Sequence, residues 1–344
     1  MSTDRAATAA PGRSATSWWP SVLAFAVLVA VLLLVPAVFT RVPFYTMSTA
    51  VQMAILSIAT VGLTLLTGAA GQISIGQAAF YGIGAYTSAV LTSRSALSPF
   101  LALLVGMALA GVTAYLVGLF IFRVRGHYLA LATLALGLVL GYVSKQLPVT
   151  GGAEGIVDIP KLALGPLTLD TDLGFYYLVA GVLVAVLLLA WHVTRSPFGL
   201  SLRAIRDSDV AAAACGVPIA ARERAVFVLA AVRAALAGGL YAHWVTFVDY
   251  HTLDLLLSLQ LLIMATIGGL RTVWGAPVGA FIVITLTQAA KEVLPRVAPN
   301  VGGQFEIVVY GVALILVLLF LPTGVAGGIS DLLRRRPPAG RGQP

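Results

Sequence analysis

Apolar residues along this chain gather into ten long runs, at roughly 20–39, 49–67, 74–93, 99–122, 127–147, 174–194, 225–248, 255–270, 276–290 and 303–322. A helix needs about 20 apolar residues to cross the hydrocarbon of a bilayer. The pattern therefore predicts an all-α, polytopic transmembrane helical bundle of about 8–10 spans. Three of the runs, 74–93, 255–270 and 276–290, are short and flanked by glycine, so any of them is a candidate for a broken or re-entrant helix.

The longest charged interruption is RSPFGLSLRAIRDSDVAAAACGVPIAARER, from Arg195 to Arg224. It holds five arginines (Arg195, Arg203, Arg206, Arg222, Arg224) and three acids (Asp207, Asp209, Glu223). A Pro-Phe-Gly start and a Gly216-Val217-Pro218 stop bracket a helix-compatible run, which predicts one short helix outside the bilayer. An arginine-rich loop between spans belongs on the cytoplasmic side. Such a loop is either a solvated connector or a docking helix for a cytoplasmic partner. With ten crossings and this loop inside, both termini are cytoplasmic. Fourteen Lys and Arg residues then lie inside and six outside, with Arg233 left within a span. Residues 1–17 read as a disordered tail, 18–330 as the membrane domain and 331–344 as a basic cytoplasmic tail. Trp18-Trp19-Pro20 heads a first run too long for a signal peptide and reads as an interfacial anchor of the first span.

Composition agrees: 59% of residues are hydrophobic and 10% charged, against roughly 45–50% and 25% in soluble domains, and the mean hydropathy is +0.98. The net charge of +8 sits in short loops between apolar runs instead of on one basic face, which argues for a lipid bilayer as partner and against nucleic acid. The single cysteine, Cys215, leaves no disulfide framework. No lysine follows a glycine, so there is no phosphate-binding loop, and the four histidines stand apart with no metal-ligand spacing. The expectation is no catalytic residue, no metal and no cofactor of its own. Arg233 either snorkels to the inner interface or pairs with a carbonyl inside the bundle. A separation of about 12–14 Å along the helix from Arg224 favours snorkelling. One charge at membrane depth argues against an ion-coupled carrier and for a pore driven from outside itself.

Two stretches are rich in small residues. Thr67 to Tyr86 places glycines and alanines beside Gln72, Ser74, Gln77 and Tyr81 at membrane depth. Small residues let helix backbones approach, while amides and hydroxyls in hydrocarbon need partners or a wet cavity. Tight packing and a translocation path are both open readings. Ile267 to Ala280 loosely echoes the first and contains a Gly275/Gly279 small-x-x-x-small pair. The loop Pro148 to Ile156 has the glycine density of a shaped turn: a gate, a partner contact or a connector. The far face also collects acids, Glu154, Asp158, Asp170 and Asp172 in the long loop and Asp249 and Asp254 around the turn after the seventh run.

Seven strings in order, LLTGAAGQISIGQAAFYGIGAYTSAVL, RGHYLALATLALG, TGGAEGI, SPFGLSLRAIRDSDVAAAACGV, AALAGGLYAHWVTFV, MATIGGLRTVWGAPVGA and YGVALILVLLFLPTGVAGGI, resemble the LivM-type permease of bacterial branched-chain amino-acid ABC importers. The resemblance covers roughly residues 45–325. It implies a permease subunit in the bacterial plasma membrane that passes Leu, Ile and Val, with urea, short amides or other small solutes as the alternative substrates. A secondary carrier and a receptor without flux are the competing classes. It further implies a LivH-type permease partner, two cytoplasmic ATPase subunits that bind ATP and magnesium, and an extracytoplasmic solute-binding protein. By the same resemblance Arg203 to Gly216 is the coupling helix that enters a cleft of an ATPase, with Arg203, Arg206, Asp207, Asp209, Ala211, Ala212 and Gly216 as its residues. The E-A-A-x-x-x-G pattern of such helices is matched here only as Val210-Ala211-Ala212-x-x-x-Gly216, with valine in place of glutamate and Asp209 one residue earlier.

Overall fold

The computed structural model describes residues 19–39, 46–95, 97–122, 127–164, 167–168, 171–270, 272–297 and 311–312. Helices occupy nine of the ten predicted runs: α1 (Trp19–Phe39), α2 (Met47–Leu63), α3 (Gln77–Ser95), α4 (Pro99–Ile121), α5 (His127–Gln146), α6 (Asp172–Arg195), α9 (Ile219–Val245), α10 (Leu255–Gly268) and α11 (Gly275–Val297). Two short helices, α7 (Pro197–Asp207) and α8 (Asp209–Ala214), fill the charged loop. A pair of two-residue strands, Ala163–Leu164 and Leu167–Thr168, closes a small hairpin before α6. The run at 303–322, the basic tail and the N-terminal tail lie outside the described residues, residues 311–312 excepted.

The architecture is an all-α polytopic bundle with α2 and α9 at its centre. α2 is buried along nearly its whole length. Among the described residues, five stretches are long and apolar enough to cross a membrane: Met47–Ala69, Pro99–Ile121, Tyr128–Gln146, Asp172–Arg195 and Ile219–Val245. α4 and α5 turn large apolar residues outward, among them Leu104, Phe120, Leu138 and Tyr142. In water such a surface would be untenable; toward lipid or another membrane subunit it costs nothing.

Small residues set the closest approaches, as their density predicts. A Cβ at Gly84 would lie 2.0 Å from the Ala235 carbonyl oxygen, and one at Gly238 would lie 1.9 Å from that of Tyr81, so α3 and α9 meet backbone to backbone. The predicted Gly275/Gly279 pair does the same for α10 and α11, since a Cβ at Gly279 would lie 1.8 Å from the Met264 oxygen. Phe227 of α9 packs edge-on against Phe80 of α3 at 5.3 Å and against Phe122, at the end of α4, at 5.4 Å.

The three short runs resolve differently. α10, at 14 residues, spans only about 21 Å at 1.5 Å per residue, less than the ~30 Å hydrocarbon. α3 starts at Gln77, and residues 71–76 before it are non-helical. α11, by contrast, runs on to Val297 and is 23 residues long, which corrects the shorter 276–290 expectation. Arg233 is also a correction. It is buried, 7% exposed, and its Nη1 donates to the Leu229 carbonyl at 3.0 Å, one turn back in its own helix. The side chain leans the way snorkelling requires, but Gly62 lets α2 pack against its stem and it ends inside the bundle.

Candidate functional site

The two ends of the bundle are built differently. At one end, Ser196 stops α6 and caps α7, accepting from the Gly199 amide, with Pro197 at the first helical position. Leu202 and Ile205 bury one face of α7 while Arg203 and Asp207 stay exposed. The single predicted helix over 203–216 is in fact two. Ser208 leaves helical geometry at φ −162°, ψ 112°, and its hydroxyl accepts from the Ala211 amide to start α8. An Asp-Ser-Asp sequence favours such a cap because a short polar side chain satisfies an orphan amide. α8 ends on Gly216 at φ +77°, with the Val217 amide bonded to Ala212 and the Gly216 amide to Ala213. That paired closure needs the left-handed conformation glycine supplies. Ala212 is buried, Val210 and Ala211 face outward, and Asp209 is half-exposed.

Arg206 does something the sequence did not indicate. Its Nη1 donates to the Gly68 carbonyl at 2.6 Å, across 138 residues of chain. Asp207 lies 3.6 Å from its Nη2. Gly68 closes a π-helical turn, Thr64–Ala69, that extends α2, a distortion that recurs at functional sites. Gly71 follows at φ +72°, and a Cβ there would lie 2.7 Å from Cγ of Arg206. Gly68 itself touches the turn between α10 and α11, since a Cβ on it would meet the Leu270 carbonyl oxygen. One arginine of α7 thus grips the point where three membrane elements converge.

From Gly71 the chain runs into the bundle without helical hydrogen bonds until Gln77. The Ile75 amide donates to Thr133 Oγ1 of α5, and the Ala78 amide to Ser258 Oγ of α10. Gln72, Ser74, Gln77 and Tyr81 are all buried. Gln72 Oε1, Ser74 Oγ and both amide atoms of Gln77 have no hydrogen-bond partner among the described residues, and neither does Thr67 Oγ1. Unpaired buried polar groups each cost about 1–3 kcal/mol. Four such side chains within eleven residues make a poor packing element and a suitable lining for a path that polar solutes use. Gln72 also borders a cleft of about 410 Å³ that opens beside Arg206, Asp207 and Asp209. Tyr81 borders a second cavity, of about 180 Å³, toward the other end.

That other end is fastened at several points. Ile156 and Val248 exchange backbone hydrogen bonds at 2.8 and 3.0 Å, so the glycine-rich loop after α5 is pinned to the exit of α9. His243, fully buried, bridges Ser88 Oγ and the Pro160 carbonyl, at 2.7 Å each. Arg94 donates to the Pro148 carbonyl, and Ser48 to Asp172. His243 had no place in the sequence reading. A histidine in an apolar helix has no local signature, and both partners lie far away in the chain.

Residues 45–321 match the family model described as "Branched-chain amino acid transport system / permease component". The chain is 26% identical over 306 residues to the high-affinity branched-chain amino acid transport system permease protein LivM of Escherichia coli K12, covering 82% of this chain and 70% of the relative. It is 25% identical over 288 residues to the protein of the same name from Salmonella typhimurium, covering 77% and 66%. No solved structure matches it. The matched region holds α2 to α11, the charged loop and the buried polar stretch together, and the chain belongs to the branched-chain amino acid transport permease family, as a multi-pass membrane protein.

Proposed function

We propose that this chain is a permease subunit of an ATP-driven importer of leucine, isoleucine and valine, working in a bacterial cytoplasmic membrane with α7 and α8 on the cytoplasmic side. It pairs there with a second, LivH-type permease. Two ATPase subunits bind ATP and magnesium and dock on α7 and α8, and an extracytoplasmic binding protein delivers solute to the opposite end. The observation that carries this reading is the Arg206–Gly68 bond, because it joins an exposed amphipathic loop to a buried polar stretch.

In this arrangement Arg203, Asp207, Asp209, Val210, Ala211 and Gly216 offer contacts to an ATPase, Ala212 seats α8, and Arg206 transmits. Movement of α7 toward a closing ATPase draws on the Gly68 carbonyl. Gly71 supplies the backbone freedom next to it, and residues 72–77 shift against α5 and α10. The amides of Gln72 and Gln77 and the hydroxyl of Ser74 then meet the passing solute in place of water.

The test is the assembled complex in liposomes. Charge reversal of Arg203 and Arg206 together abolishes solute-stimulated ATP hydrolysis, and with it leucine uptake. Stimulation at the native level in that double variant would sink the coupling assignment, and a complex that accumulates no aliphatic amino acid would sink the substrate assignment.

A further inference from the structure

The cavity of about 180 Å³ at the end away from α7 lies between α2, α3, α9 and the segment 249–260. Its walls divide by chemistry. Ile55 and Leu56 of α2, both buried, and Leu257 of α10 form an apolar side. Asp249 and the phenol of Tyr81 line it as well, and Gln52 lies on α2 one turn before Ile55 and Leu56. Tyr81 is 2% exposed, and its hydroxyl makes no hydrogen bond among the described residues. Asp249 has no lysine, arginine or histidine within salt-bridge distance among those residues. The nearby cations are otherwise engaged: His251 Nδ1 lies 3.9 Å from Asp254, and Lys145 sits 4.8 Å over the ring of Tyr250.

An uncompensated carboxylate in a partly desolvated pocket asks for a cation. A free phenol and an amide ask for an acceptor. The apolar side asks for hydrocarbon. A simple cation would leave the donors unused, and an anion would meet Asp249. The volume corresponds to about six waters at ~30 Å³ each, well below the roughly 300–1,000 Å³ of drug-sized sites, so the occupant is small. We propose that this cavity is a binding site for a zwitterionic amino acid with a short aliphatic side chain, its ammonium against Asp249, its carboxylate on Tyr81 and Gln52, and its side chain against Ile55, Leu56 and Leu257. The proposal rests on the reading of this chain as an amino-acid permease and adds that the permease itself selects for the α-ammonium.

The experiment uses the full chain with its permease partner in nanodiscs, without binding protein, and equilibrium binding of radiolabelled leucine, competed by leucinamide and by 2-hydroxyisocaproate. In the native pair leucinamide, which keeps the ammonium, competes, and the hydroxy acid, which lacks it, does not. Asp249→Asn weakens leucine binding at least tenfold, Asp249→Glu restores part of it, and Tyr81→Phe weakens it about three- to tenfold, each with an unchanged elution profile on size exclusion. Equal competition by both analogues, or native leucine affinity in Asp249→Asn, overturns the site. ATP-driven leucine uptake by the full complex is measured alongside. If uptake is present while Asp249→Asn binds normally, only this inference falls. If no aliphatic amino acid is transported, the functional reading falls as well.

Discussion

The two ends of this bundle hold the chain in opposite ways. Opposite α7, the connections between helices are tied by redundant bonds: the Ile156–Val248 pair, His243 reaching to Ser88 and Pro160, Arg94 on Pro148 and Ser48 on Asp172. At the α7 end a charge-assisted bond, Arg206 to Gly68, joins the charged loop to the π-helical turn beside a glycine in the left-handed region. Redundant bonds must all break together before anything moves, whereas one bond next to a flexible residue can be pulled or released. The difference separates a platform, which resists movement, from a lever, which can take it up.

Both ends hang on the α3–α9 shaft, so the largest effect comes from breaking it. Gly238→Val forces a branched side chain into a space where a Cβ alone would lie 1.9 Å from the Tyr81 carbonyl oxygen. Backbone cannot yield as a side chain can, and the variant yields no monodisperse protein on size exclusion. Gly181→Ala is the control, as a Cβ there meets nothing within 4 Å; it expresses normally. Next in size is the platform. His243→Ala leaves the Ser88 hydroxyl and the Pro160 carbonyl without their partner, at roughly 1–3 kcal/mol each. Thermal unfolding shifts down by several degrees, and hydrogen exchange rises in residues 155–162 while α7 keeps its protection. Equal loss of protection at both ends would erase the contrast between them.

At the lever, Arg206→Met keeps the aliphatic stem over Gly71 and removes the bond to Gly68. The side chain is 29% exposed, so the bond contributes less than the ~1.5–3 kcal/mol of a buried charged pair, and melting changes little. Solute-stimulated ATPase activity of the assembled complex nevertheless falls at least fivefold with basal hydrolysis retained. Full stimulation with Arg206→Met would make the bond incidental and shift the coupling to another contact.

How much of this could be seen beforehand follows the range of each interaction. Helix positions were legible because bilayer thickness sets the length of an apolar run. Their ends were not where charge intervenes: α9 starts at Ile219, upstream of Arg222, Glu223 and Arg224, since a helix continues past the membrane surface whenever its backbone bonds allow. The glycine contacts of Gly275 and Gly279 were legible as spacing. Gln72, Ser74, Gln77 and Tyr81 stood out because amides and hydroxyls are costly in hydrocarbon, and the structure buries all four. The destination of Arg206 was not legible, because a bond across 138 residues leaves no local pattern. Asp249 was visible only as one acid among several on its face, and its cavity exists only once α2, α3 and α9 are brought together.

The smallest expected effect lies at Ser208, where the one predicted loop helix becomes two. Its hydroxyl caps α8 at 3.2 Å from the Ala211 amide, and removing such a cap costs about 1 kcal/mol. Ser208→Ala should therefore raise hydrogen exchange over residues 209–214 about fivefold, at ~1.4 kcal/mol per factor of ten, without touching α7, whose buried Leu202 and Ile205 are independent of it. If α8 is only a surface turn, stimulated ATPase activity stays at the native level. If α8 is the segment an ATPase grips and α7 the segment that carries the motion inward, the variant loses part of its stimulation at low ATPase concentration and regains it at high concentration. Arg206→Met regains nothing at any concentration, because its defect lies beyond docking. That divergence between two residues only two positions apart, one in α7 and one at the break before α8, separates gripping from transmission within a single loop.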